Sequence, residues 1–437
     1  MKVAVIGSGV SGLAATWLLN EYSDHEVHLF EADERAGGHA NTVRYNAAGV
    51  DVDIVFNPST YPNFLRFLKL YPDITILAAK MTFSVSRDNG LFEWAGKNLA
   101  TFFCQPSRLL DLDMWRLLYD ILRDTSDTFR DDYLIPMTAA IWSTPPDKCL
   151  LEFPARTLVR FMSNHHLLQI TGKLSWLTIK GGSRRYVDAI LSKLPANQLH
   201  LSTPIESVGN APRNDNDGAV QVQVKPRDGE SIVFDRIIMA CHSDTALALL
   251  RAGKGMTETE ALVLHRFQWN RNEVVLHGDV GLMPKRRTAW CSWNYLTSSS
   301  VDEEGRRKAN IGKVALTYYL NELQHLPEEK YGPILVTLNP PQEPEPESVI
   351  ARFRYDHPVL NREASRPPNS RSRLRPIRYS PAKALISQIQ ISSIQNRRGL
   401  IFAGAWLGYG FHEDGFTSGL RAVLDHIDGV CCPFEVV

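Results

Sequence analysis

Residues 3–31 constrain the fold of this chain more than any other stretch. An apolar run from Val3 to Ile6 leads straight into Gly7-Ser8-Gly9-Val10-Ser11-Gly12, and the helix-forming Leu13-Ala14-Ala15-Thr16-Trp17-Leu18-Leu19 follows. Strand, glycine turn and helix in that order open a βαβ unit whose helix N-terminus can face an anion. Gly7 permits the sharp turn, Gly9 lets phosphates approach the backbone, Val10 and Ser11 offer N–H groups at the helix start, and Gly12 seats the helix on the strand. A second apolar strand, Glu26 to Phe30, ends at Glu31, nineteen residues after Gly12, where a carboxylate suits an unphosphorylated ribose. Together these parts predict a dinucleotide site; the plainer alternative is a glycine turn in an ordinary βα unit.

After Glu31 the chain reads Ala32-Asp33-Glu34-Arg35-Ala36-Gly37-Gly38-His39-Ala40-Asn41-Thr42. A glycine pair so soon after the acidic residue implies a second close approach of backbone to ligand. Near the other end, Phe402-Ala403-Gly404-Ala405-Trp406 reads as the end of a buried strand, and Gly408 to Gly419 reads GYGFHEDGFTSG before a helix. These two segments resemble the FAD motifs of the flavin-containing amine oxidase and phytoene desaturase superfamily. GGHANT and GYGFHEDG point to a narrower branch of FAD/NAD(P)-binding oxidoreductases, some bacterial relatives of which bear on fatty-acid modification.

By that resemblance Glu31 holds the adenosine ribose, Arg35 lies along the phosphate and ribose chain, and Gly38 passes beneath the flavin. Ala32, Gly37, His39 and Ala40 complete that stretch, with His39 standing where many members carry Arg or Lys. Ile205, in Thr203-Pro204-Ile205-Glu206-Ser207-Val208, is the implied main-chain partner of the adenine. Gly404 and Ala405 fall on the ribityl or phosphate side, and Gly415, Phe416 and Thr417 at the flavin pyrimidine. Phe234 to Cys241 resembles the next strand of the cofactor domain, and Trp176 to Arg184 the superfamily's Gly-Gly entry to a helix.

The implied fold class is α/β: a Rossmann-type FAD-binding domain of the glutathione-reductase kind with an inserted, mixed α+β substrate domain. The cofactor domain is discontinuous, over 1–75, 196–255 and 395–437, and 76–195 and 256–394 supply the substrate domain. Within the first insert, Leu110, Trp115, Leu117, Leu118, Ile121 and Leu122 recur at helical spacing, as a core-packed helix or the wall of an apolar tunnel would require. Asn272 to His277, Ala289 to Tyr295 and Lys313 to Tyr319 alternate like strands. Their aromatics are core fillers or a substrate floor. Pro340 to Glu347 and the five-arginine run Arg366 to Arg378 read as surface connections, the second also suited to an anionic head group or membrane surface.

With 437 residues, 44% of them hydrophobic, the chain can bury cores for two domains. Lys plus Arg and Asp plus Glu number 48 each, so nothing draws the protein to nucleic acid. Six cysteines without CxxC spacing, no apolar run of about 20 residues and no leader-like N-terminus make the cytoplasm the expected compartment. His165-His166 has no spaced partner of metal type, and no metal is expected. The sequence carries no signal for oligomeric state.

The chemistry implied is hydride transfer between a small, apolar, lipid-like molecule and noncovalently held FAD. Trp406, Tyr409, His412 and Glu413 are the catalytic candidates because the closing motif passes near the flavin. For His412-Glu413-Asp414, the alternative role is hydrogen bonding within the glycine turn. Alternatives are an amine oxidase and, from another class, a protein that binds FAD without turnover. An NAD(P) enzyme would leave Gly37-Gly38 and the C-terminal glycine motif unexplained, and a serine hydrolase would need a G-x-S-x-G elbow that is missing.

Overall fold

The computed structural model describes all residues except 47, 53–54, 113, 116–118, 120–132, 144–174, 212–220, 302–306, 310–313 and 360–390. Cys149, His165-His166, Arg366 to Arg378 and Leu117, Leu118, Ile121 and Leu122 lie outside the described residues.

The opening apolar run forms β1 (Lys2–Ile6), followed by α1 (Val10–Tyr22) and β2 (Glu26–Phe30). All three sink into a core, since Leu13, Leu18, Leu19, Val27 and Leu29 are fully buried. A parallel five-stranded sheet forms around them in the order Leu400–Phe402, Arg236–Met239, β1, β2, Leu199–His200. Its strands come from three distant parts of the chain, and burial on both faces of the inner strands explains their mainly apolar sequences. The strand at Ile205–Asn210 belongs to a separate antiparallel sheet with Val222–Pro226 and Ile232–Phe234.

Against α1 lie α2 (Pro62–Leu68), α3 (Arg184–Leu191) and, at the C-terminal end, a helix described below. Gly181 and Gly182, at φ of 82° and 87°, turn the chain from Trp176–Ile179 into α3. α3 buries Tyr186, Val187 and Ile190 in the same core as α1, although 176–194 reads in sequence as part of the substrate domain.

A mixed seven-stranded sheet makes the second layer, ordered β4, β3, Leu335–Leu338, Ala315–Tyr319, Trp293–Thr297, Phe83–Arg87, Phe92–Ala95, where β3 is Gln268–His277 and β4 is Val349–Val359. Asn272 to His277 and most of Lys313 to Tyr319 are strands as their alternation predicts. Ala289 to Tyr295 differs: the strand begins only at Trp293. Asn294 explains this, because its amide accepts from Cys291 N at 2.8 Å and donates to Cys291 O, holding the preceding residues in a turn. Leu110 also differs. It ends a short 3-10 turn, Pro106–Leu110, and is 91% exposed rather than packed in a core; Trp115 is 44% exposed.

Candidate FAD-binding and active site

A cavity of about 590 Å³ lies between the two layers. Its floor is the turn after β1. Gly7 has a φ of 99°, and a side chain there would press on the Ala240 carbonyl. Gly9 caps α1 with no side-chain hydrogen bond, no acidic residue sits in the first turn, and nothing lies within 4 Å of where a Cβ on Gly9 would stand. The first N–H groups of α1 therefore face the cavity with the positive end of the helix behind them. Gly12 has another task. Its missing side chain lets α1 rest on the Gly7 carbonyl, and it does not line the cavity.

Glu31 is held by backbone: its Oε2 accepts from Ser8 N at 2.9 Å and from the Ser8 hydroxyl, and its Oε1 accepts from Asp33 N at 3.0 Å. The carboxylate so fixed lines the cavity beside Phe30, Ala32 and Ile205. Arg35 donates through Nη2 to Gly38 O at 2.8 Å, while its Nη1 is buried with no partner. Gly38, at φ 58°, passes so close to Gly9 that a Cβ would stand 3.1 Å from the Gly9 Cα. His39, Ala40, Gly404 and Ala405 continue the wall.

An open glycine cradle at a helix N-terminus and a backbone-held carboxylate are what a dinucleotide with a pyrophosphate and a ribose diol requires, whereas Arg35 lies off the cavity wall. Replacing Glu31 with alanine is expected to weaken FAD binding by roughly 1.5–3 kcal/mol, about ten- to a hundredfold, with Glu31→Gln losing less. Quenching of FAD fluorescence on titration with apoprotein reads both.

Gly37, Gly415, Phe416 and Thr417 are not on the cavity wall. Gly37 N bonds Ser8 O at 3.1 Å, Gly415 packs against the Val10 side chain, Phe416 is fully buried among Trp17, Phe64 and Phe67, and Thr417 accepts from Asn63 Nδ2 at 2.8 Å.

The four catalytic candidates separate in the same way. Trp406 and His412 line the cavity; Tyr409 and Glu413 do not. The Trp406 indole N–H donates to Cys241 O at 3.2 Å, which makes its ring a wall. His412 is the first residue of α4 (His412–Leu424), with Nε2 3.0 Å from the Tyr186 hydroxyl, and burial lowers its pKa to about 3. Glu413 points the other way and accepts from Asn63 N and Phe64 N at 2.9 and 3.0 Å, capping α2. Asp414 accepts from Phe411 N and Tyr409 N, bracing the glycine turn.

Burial raises the pKa of Glu413 to about 7. A carboxyl raised in the folded state stabilises the fold below its unfolded pKa and loses that contribution as pH rises through the folded value. Glu413→Gln removes the titration and keeps one of the two acceptor oxygens, at a cost in stability that does not vary with pH. Relative to the parent, this variant is expected to gain in melting temperature as pH rises from about 4.5 to about 7.

Sequence alone missed a group on the far wall: His242, His357, Asp356 and Trp269. His242 stacks on Trp269 at 3.8 Å, and His39 lies 6.1 Å from His242, 5.4 Å from His357 and 4.6 Å from Tyr355. Burial lowers the pKa of all three histidines, that of His357 to about 4. His242 was within reach of a sequence argument, since it follows directly on a parallel strand, where open α/β sheets bind ligands.

Residues 5–70 match the family model of an NAD(P)-binding Rossmann-like domain, and residues 77–264 that of a flavin containing amine oxidoreductase. The chain has the fold of the flavin amine oxidases. Their cofactor is FAD, and the cradle described above fits it. The fold is similar to that in the crystal structure of a CLA-producing fatty acid isomerase from P. acnes, with a TM-score of 0.61 and 13% identity over 97% of this chain and 98% of that one. It is also similar to cyclohexylamine oxidase from Brevibacterium oxydans, with a TM-score of 0.58 and 13% identity over 96% and 97%. An L-amino-acid oxidase of Pseudechis australis is 37% identical over 70 residues, 16% of this chain and 13% of the relative's length. The matched segment is thus a small part of that curated relative.

Proposed function

We propose that this protein is an FAD-dependent oxidoreductase that moves hydride between flavin and an apolar, lipid-like substrate, in an oxidation, a desaturation or a double-bond isomerisation. The observation that carries this proposal is the wall of the cavity beyond Gly38. Val55, Met81, Ile141, Trp176, Trp293 and Phe411 line it, and the one cationic residue among the described lining residues, Arg227, sits at the opposite end, with its N–H on Pro204 O. Such a wall binds and orients a hydrocarbon chain and excludes water from it.

FAD, when bound, supplies reversible acceptance of hydride. The chain's part is to hold the substrate: Trp406 and the aromatic wall fix it sideways, and His412, uncharged, tethers the entry to α4 through Tyr186. Likeness of fold to a fatty acid isomerase supports the substrate class. A second reading, an amine oxidase, has a comparable likeness of fold, to cyclohexylamine oxidase, and one observation of the site in its favour. Asp356 lines the cavity with its Oδ1 buried and unpartnered, which suits an ammonium group.

Anaerobic mixing of the flavin-loaded protein with linoleate and, separately, with decylamine tests this. Flavin bleaching or a shifted double bond in recovered linoleate, without bleaching by decylamine, is the expected result. Bleaching by the amine alone selects the second reading. No reaction with either, in protein that holds FAD, supports binding without turnover.

A further inference from the structure

The side chain of Asn272, 1% exposed on β3, can take only one orientation. Its Oδ1 accepts from Asn339 Nδ2 at 2.7 Å and from Asn270 Nδ2 at 3.1 Å. Its Nδ2 lies 3.1 Å from Ser143 O and 2.8 Å from His357 Nδ1. Turning the amide over would set its oxygen against the Ser143 carbonyl and its nitrogen against two amide donors. Asn272 must therefore donate to His357, so Nδ1 of that ring is an acceptor and, in the neutral ring, the proton sits on Nε2. His357 lines the cavity, and its Nε2 has no partner among the described residues.

We propose that His357 is a specificity-determining hydrogen-bond donor of the reaction chamber, held in one tautomer by Asn272, and that it takes an acceptor oxygen of the lipid-like substrate, such as a carbonyl. Asn272 is its positioning residue. This rests on the functional reading above and adds what the chamber recognises in an otherwise apolar molecule.

The surroundings keep the donor uncharged. Burial, with His242 nearby, lowers the His357 pKa to about 4. Its neighbours from other elements are the rings of His39 and His242, themselves lowered, and on its own strand Tyr355 and Asp356, the latter 4.0 Å from Arg271. A neutral N–H of fixed tautomer serves an oxygen acceptor without change across neutral pH. It offers nothing to an ammonium group, which has no lone pair.

Two measurements on the flavin-loaded protein test the proposal. The first is the 15N spectrum of histidine-labelled protein without substrate, with His357 assigned by its loss in His357→Gln. Protonated Nε2 and unprotonated Nδ1 from pH 5 to 9 are expected; a proton on Nδ1 overturns the proposal. The second is binding of decanamide, read from the flavin difference spectrum. Affinity in the parent is expected to be flat from pH 5 to 9 and to fall about tenfold in His357→Phe. In Asn272→Asp the new carboxylate would draw the ring proton to Nδ1 and raise the ring's pKa, so affinity should be near parental at pH 5 and fall as pH rises. A packing role alone would not move that pH profile. Equal decanamide affinity in the parent and His357→Phe, or no binding by the parent, overturns the proposal. Correct tautomer and amide binding without any turnover of lipids would instead overturn the activity reading.

Discussion

Replacing Gly9 with aspartate is expected to give a folded protein that retains no FAD. Gly9 stands at the N-cap of α1 with φ of −60° and ψ of 174°, a conformation open to any residue, and its Cβ would meet no atom within 4 Å. Aspartate is a favoured N-cap and glycine is only slightly worse, so the apoprotein should melt no lower than the parent, with a gain of at most a few tenths of a kcal/mol. Yet the same carboxylate would occupy and repel the pyrophosphate position. Gly12→Val is the contrasting case. Its side chain would collide with the Gly7 carbonyl, so α1 could not seat on β1 and folded protein itself should be lost. Flavin-to-protein ratio and thermal melting separate the two outcomes. Parental flavin content in Gly9→Asp would contradict the binding mode.

Arg398→Met is expected to cost about 3–5 kcal/mol of stability, because it strands a buried charge. Arg398 precedes the edge strand Leu400–Phe402 and grips Glu260 with two hydrogen bonds, Nε to Oε1 at 2.9 Å and Nη2 to Oε2 at 3.0 Å. The Glu260 side chain is 2% exposed, and it also accepts from Thr257 N at 2.8 Å to cap the helix Glu258–His265. The double variant Arg398→Met/Glu260→Gln should recover most of the loss, since a neutral amide still serves the cap. Urea unfolding of the three proteins measures this, and a loss below about 1 kcal/mol in Arg398→Met would count against it.

The glycine-rich wall of the cavity was legible in sequence because its parts are local. Gly7, Gly9, Glu31, Gly38 and His39 fall within two short turns whose geometry neighbouring residues impose. Helical phase misled where adjacency was taken for proximity: His412 faces the cavity, while Glu413, about 100° further round α4, caps α2 and Phe416 enters the core. The far wall had no local signature at all. Asn272 and His357 meet only because β3 and β4 pair, 85 residues apart in the chain, and nothing in either neighbourhood announces the other. Leu110 shows the opposite error, where apolar spacing suggests burial but the chain after Pro106 winds as a short 3-10 turn and presents the side chain outward.

The most direct test of the account is the visible spectrum of freshly purified protein, followed by acid precipitation and identification of the released pigment. Flavin bands are expected, with free FAD in the supernatant in roughly equal molar amount to the chain. A colourless protein that also fails to take up added FAD would contradict it.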